Sequence, residues 1–123
     1  MSHIVSIQTE VRDAAALQAA CERLRLPQPA QETVQLFSDQ ATGMTVRLPG
    51  WRYPVVCNLE NGSMKYDNFD GVWGSEQELG RLLQSYAVCK TQIEARKQGH
   101  LVIEHPLADG SIRLVIQVGG GAA

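Results

Sequence analysis

The sequence predicts an α+β domain: a mostly antiparallel sheet with two helices on one face, in the order β-α-β-β-β-β-α-β-β. Short runs of alternating apolar and polar residues fill most of the chain, which is the period of a half-buried strand. Two stretches carry apolar residues at three- and four-residue spacing instead, which is the period of a helix. Pro-Gly, Asn-Gly and Asp-Gly pairs separate the alternating runs, so the strands come as hairpins, and hairpins build antiparallel sheets.

Residues 3–11 read as the first strand, with His3, Val5, Ile7, Thr9 and Val11 on one face and Ile4, Ser6, Gln8 and Glu10 on the other. Asp13 is placed to cap a helix over 13–25, because its short carboxylate can accept amides of the first turn that have no partner within the helix. Leu17, Ala20, Cys21 and Leu24 form the buried stripe of that helix, and Pro27 and Pro29 end it. The segment 27–31 reads as a loop. Val34 and Leu36 flank Gln35 in a short strand, and Met44, Val46 and Leu48 alternate with Thr45 and Arg47 in the next, before the turn at Pro49-Gly50. Tyr53, Val55, Cys57 and Leu59 make one face of a further strand. Asn61-Gly62 then reads as a type I′ turn, whose central positions both need φ > 0, and Met64 and Tyr66 lie on the returning strand.

Ser75 and Glu78 have the spacing of a capping box, so a long helix begins there and runs to 98. Its apolar stripe is Leu79, Leu82, Leu83, Tyr86, Cys89 and Ile93, and Gly99 is placed to end it in the left-handed conformation. Strands over 101–105 and 112–118 turn at Asp109-Gly110, with Arg113 placed to pair with Glu104 across the hairpin. Residues 1–118 thus make one domain, and 119–123 a flexible Gly/Ala tail.

A chain of 123 residues can bury about two thirds of its unfolded surface, so it needs no metal or disulfide to fold. Lys+Arg number 11 against Asp+Glu 13, a net charge of −2 that argues against a dedicated nucleic-acid binder. The chain lacks an apolar run of about 20 residues, the length needed to span a membrane as a helix. The opening MSHIVSIQTEVRD lacks the basic region and apolar stretch of a signal peptide. Cys21, Cys57 and Cys89 form no C-x-x-C pair and read as reduced, buried thiols of a cytoplasmic protein.

Motifs for phosphate binding, zinc proteolysis or serine hydrolysis are missing from the sequence. His3, His100 and His105 show no metal-ligand spacing, so no metal, cofactor or catalytic residue is assigned. Cys57 could be activated only beside a histidine; flanked by Val55 and Leu59, it reads as core. Two clusters could bind. Tyr66, Asp67, Asp70 and Trp73 lie between a strand end and a helix start, where aromatics and carboxylates make good anchors. The plainer reading, which the composition favours, is that Asp70 satisfies turn amides and Trp73 packs under the helix as a staple; the cluster is still the best surface-site candidate. Arg47, Trp51, Arg52 and Tyr53 form a basic-aromatic group of few charges, which reads as an exposed turn.

The opening Met1-Ser2-His3 with Ile7, Thr9, Val11 and Arg12-Asp13 resembles the start of the hypothetical chloroplast reading frame thirty-five family, also known as domain of unknown function twelve fifty-seven. Asn61-Gly62 with Tyr66 and Asp70 after it, Trp73 before the helix carrying Leu83, Tyr86 and Ala87, and the ending Asp109-Gly110-Ser111-Ile112-Arg113-Leu114-Val115-Ile116-Gln117 extend the resemblance. Residues 27–56 contribute little to it. The family, found in plastid genomes, cyanobacteria and other bacteria, implies no catalytic residue. Its members are often encoded beside an AAA-type ATPase, which implies a partner role. The expectation is a non-catalytic interaction or adaptor module, its partner a second copy or an AAA-type ATPase. The alternative is a small-ligand-binding protein or enzyme with a pocket between sheet and helices.

Overall fold

The computed structural model describes residues 4–119; the expectations for His3 and for the tail past 119 lie outside the described residues. Strands β1 (Val5–Gln8), β2 (Ala30–Gln35), β3 (Gln40–Val46), β4 (Val55–Asn58) and β5 (Ser63–Tyr66) form one antiparallel sheet in the order β1-β5-β4-β3-β2. Helices α1 (Ala14–Arg23) and α2 (Glu76–Lys97) cover one face of it. Val5 and Ile7 of β1, Val46 of β3, Val55 and Cys57 of β4, and Met64 and Tyr66 of β5 meet Leu17, Ala20, Leu79, Leu82 and Tyr86 of the helices there. The period-2 pattern puts these residues on one side of the sheet, and the small Ala16 and Ala20, wholly buried, let α1 lie close. A smaller cluster of Leu36, Ala41 and Val56, with Ile4, Val34 and Tyr53 against it, occupies the opposite face.

The helix ends follow the expected chemistry except at the capping box of α2. Asp13 Oδ1 accepts the Ala15 and Ala16 amides at 2.9 and 3.2 Å, and Asp13 Oδ2 takes the Lys90 ammonium of α2 at 2.9 Å. Tyr86 Oη accepts the amides of Arg12 and Asp13 at 3.1 and 3.0 Å, so both helices are tied at one point. Ser75 caps α2 through the Gln77 amide at 3.2 Å, while Glu78 turns to Arg81 at 3.7 Å rather than closing a capping box. Past α2, His100 N–H donates to Ala95 O and Gly99 N–H to Arg96 O, with Gly99 at φ 76°; this is a Schellman ending. The same two bonds end α1, but Arg25 holds the left-handed position at φ 58°.

Fold class and element order agree with the expectation, and the sheet divides in two. β6 (Leu101–Pro106) and β7 (Ile112–Gln117) pair with each other in a separate two-stranded sheet. The Gly99 ending sends the chain back alongside α2, so β6 packs on that helix rather than on the main sheet. Gln84 Nε2 holds the hairpin tip through Gly110 O at 3.0 Å. Register places Arg113 opposite His105 and Leu114 opposite Glu104, which corrects the expected Arg113–Glu104 pair. Glu104 faces inward and bonds Arg23 and Gln92 instead.

Three local expectations also change. The Asn61-Gly62 turn is a four-residue loop, 59–62, since Asn58 pairs with Ser63. Asn58 and Asn61 accept the Glu60 and Ser63 amides through their side chains, so Gly62, at φ 79°, is the one loop residue with positive φ. β2 and β3 begin earlier, at Ala30 and Gln40, because at that edge the helix-facing side lies beyond the helices and carries polar side chains, such as the Thr33–Thr42 hydroxyl pair at 2.7 Å. Finally Tyr53 leaves the face of Val55 and Cys57 for the opposite cluster, because Pro54 has no N–H to give a ladder and the strand starts only at Val55.

Candidate functional site

The loop from Asp67 to Ser75 joins β5 to α2 and holds the residues singled out in the sequence. Tyr66 ends β5 and belongs to the core, its ring edge-on to Trp51 with centroids 5.5 Å apart. Burial, with Glu76 nearby, pushes its hydroxyl above the usual tyrosine range. Asp67 is wholly buried; Oδ1 accepts the Phe69 amide at 3.3 Å, and Oδ2 meets no donor among the described residues. Buried Asn68 stitches the loop: its carbonyl accepts the Gly71 and Trp73 amides at 3.0 and 2.8 Å, and its Nδ2 donates to Gly74 O at 3.2 Å.

Those bonds hold an unusual backbone. Phe69 and Asp70 lie at φ 45° and 50°, followed by Gly71 at 94°. A left-handed Phe costs on the order of 1 kcal/mol or more and persists only where its surroundings over-determine it. The bend carries the Phe69 ring onto Trp73, with centroids 4.8 Å apart. Phe37, from the β2–β3 turn, and Tyr53, before β4, meet the same indole at 5.2 and 5.7 Å. The Arg52 guanidinium stands 4.9 Å from the Trp73 ring centre and 5.5 Å from that of Tyr53. Its backbone N–H donates to Trp73 O at 2.9 Å.

The two groups named from the sequence therefore converge. Trp51, Arg52 and Tyr53 join Tyr66, Asp67, Asp70 and Trp73 at one end of the main sheet. Arg47 does not join them; it pairs with Glu32 at 2.8 Å. Trp51 fills the staple position expected of Trp73, its indole over Gly74 and its Nε1 donating to Ser75 O at 3.0 Å. Trp73 is freed to be a half-buried floor. Around it Phe37 is 51% exposed, Phe69 37% and Val72 71%. Phe37 and Phe69 escaped the sequence reading, although Phe-Ser-Asp and Phe-Asp-Gly place an aromatic in turn composition, where it has little to pack against.

The other candidate groups lie apart. All three cysteines are buried free thiols; burial pushes Cys57 up to about 12 and Cys21 to about 11, and raises Cys89. A thiol held so high is not a nucleophile near neutral pH. His100 Nδ1 accepts the Gly119 amide at 2.9 Å, and His105 is exposed on β6. Among the described residues no group of three or more His, Cys, Asp or Glu could hold a metal ion. A groove of about 730 Å³ runs between the β1 end and α2 and is lined by Val11, Arg12, Leu83, Tyr86, Ala87 and Lys90, among others. It includes neither Cys57 nor Tyr66, and Tyr86 and Lys90 are engaged at the α1 cap. Among the described residues no helix is long and apolar enough to cross a membrane.

The fold and this end of it define an α+β domain displaying an aromatic–arginine cluster. No family model, curated protein or solved structure matches the chain.

Proposed function

We propose that the protein is a non-catalytic, cytoplasmic interaction module that docks a partner protein on the cluster around Trp73. The observation that carries this reading is the exposure of Phe37 and Phe69 against that indole. Trp, Tyr and Arg held in place and rimmed by apolar side chains are the composition of binding hot spots. The strained Phe69–Asp70 backbone supports it, since the strain serves to display an apolar ring rather than to hide one. The buried, proton-holding thiols support a role without covalent chemistry.

The resemblance to the chloroplast reading frame thirty-five family supports an AAA-type ATPase as that partner. A second copy is the other reading, favoured by the strand edges. Among the described residues β1 pairs only with β5, and neither outer edge of the β6–β7 hairpin is paired. Leu101 on that hairpin is 66% exposed, and open edges invite strand addition. Light scattering at micromolar concentration tests both. We expect a heavier complex on adding a purified AAA-type ATPase, abolished by Phe37→Ser, or a dimer of the chain alone that Phe37→Ser leaves intact. A strict monomer that binds no protein refutes the proposal.

A further inference from the structure

We infer that the surface around Trp73 selects a partner segment carrying arginine or lysine, and that Arg52 occupies the place of that cation in the free protein. The inference rests on the docking reading above and adds the chemistry of the partner. Arg52 lies against both rings at cation–π distance, 4.9 Å from Trp73 and 5.5 Å from Tyr53. Its guanidinium makes no ion pair among the described residues, so the ring faces are what hold it. The indole face thus accepts a cation in the free protein, and in the complex that place falls to a partner's side chain.

The charges around the rings have the matching sign. Asp39 closes the turn that carries Phe37, and Asp70 follows Phe69 directly; both are exposed. Asp67 adds a buried carboxylate, bound by Oδ1 to the Phe69 amide and, among the described residues, without a donor at Oδ2. Asp39 and Asp70 lie on the two turns that carry the Phe37 and Phe69 rings, and among the described residues Arg52 is the cation in contact with Trp73 and Tyr53. A floor of rings with an acidic rim attracts a cationic side chain and repels phosphate. The segment it fits is a protein strand or loop in which an apolar residue lies beside an arginine or lysine, not a nucleic acid.

Both tryptophans of the chain, Trp51 and Trp73, lie in the cluster, so intrinsic fluorescence reads its occupancy. The probes are a peptide of three Leu-Arg repeats, its Leu-Gln and Leu-Glu counterparts, and a thymidine oligonucleotide. We expect the Leu-Arg peptide to bind about fivefold or more tighter than Leu-Gln. The double change Asp39→Asn with Asp70→Asn should remove about that factor, as two exposed charge pairs would. Arg52→Gln should tighten the Leu-Arg peptide several-fold by vacating the ring face; unchanged or weaker binding overturns the role given to Arg52. If Leu-Gln binds as tightly as Leu-Arg and Phe37→Ser removes both, the docking surface stands and the selection of a cation falls. If no peptide binds, both fall. Tighter binding of the oligonucleotide than of Leu-Arg also overturns the inference. Every substituted side chain is exposed, and Asn suits the left-handed backbone at 70 better than Asp, so these variants keep the fold.

Discussion

The same substitution, glycine to alanine, should have opposite signs at two positions six residues apart. At Gly74 a Cβ would sit 2.3 Å from Trp51 Cδ2 and 2.6 Å from two further atoms of that indole. The backbone there is not left-handed, so the added methyl is resisted by contact alone. The obstacle is a rigid ring held between Tyr66 and the Ser75 carbonyl. Relieving the overlap must displace the indole, which costs about 1–3 kcal/mol as overpacking and about 1 kcal/mol for the Nε1 hydrogen bond. The stiffer unfolded chain returns about 0.5 kcal/mol. The net expectation for Gly74→Ala is a loss of about 2–3 kcal/mol, or roughly 8–12 °C in Tm for a domain of this size. At Gly80, inside α2, a Cβ would meet nothing within 4 Å. There alanine should stabilise by about 1 kcal/mol through helix propensity. Urea unfolding followed by far-UV circular dichroism measures both. Because Arg52 follows Trp51 directly, Gly74→Ala should also change tryptophan emission from the native state, while Gly80→Ala leaves it alone. A neutral or stabilising Gly74→Ala would refute the packing of Trp51 under the helix start.

Three further expectations concern the helices. Asp13→Ala should cost about 1–2 kcal/mol, since it removes a cap and an ion pair, whereas Asp13→Asn keeps the cap and should cost less than half of that; equal losses in urea melts would refute the division. The Lys90 ammonium beside Asp13 holds its carboxyl below the ordinary 3.8, so its charged form stabilises the fold above that pH. The contribution is lost as pH falls through the folded value, and the gap between wild type and Asp13→Asn should close as pH is taken down below the ordinary 3.8. Tyr86→Phe leaves the Arg12 and Asp13 amides without their acceptor and should cost about 1–3 kcal/mol, with faster hydrogen exchange at those two amides. Arg25→Gly at the left-handed end of α1 should stabilise by about 0.5–1 kcal/mol, and Arg25→Val should destabilise; thermal melts giving the reverse order would remove the left-handed assignment.

Much of the architecture was legible because its determinants are local. Asp13, Ser75 and Gly99 act on amides and carbonyls within a few residues of themselves, so a helix end is written beside the helix. Alternation placed Val46, Val55, Cys57 and Met64 on one face for the same reason. Where a long-range neighbour decides, sequence reasoning went astray. Glu104 lies near Arg113 along the chain, and a hairpin offers them as partners. Register sets them on opposite faces of the ribbon, and Arg23, from a helix distant in sequence, takes the carboxylate. Nothing in residues 101–118 announces that α2, rather than the main sheet, will receive their inner face.

The exchange between the two tryptophans shows why the site was half visible. Both precede α2 in sequence, and Trp73, nearer its cap, was the natural staple. Gly74 decides otherwise: the missing side chain leaves a hollow at the helix start, and Trp51 fills it from across the fold. With the hollow filled, Trp73 is held at the surface, and Arg52 and Tyr53, adjacent to Trp51, are drawn against it. The convergence of the two sequence clusters thus follows from one glycine. Phe37 and Phe69 remained hidden because their role depends on turns from two separate loops meeting over that indole. Exposure of a phenylalanine is decided by what the rest of the chain leaves uncovered, and no local pattern encodes it. The proposed docking surface is built of rings left partly exposed, so the surface around Trp73 became readable only once Trp51 was seen to have taken the buried place.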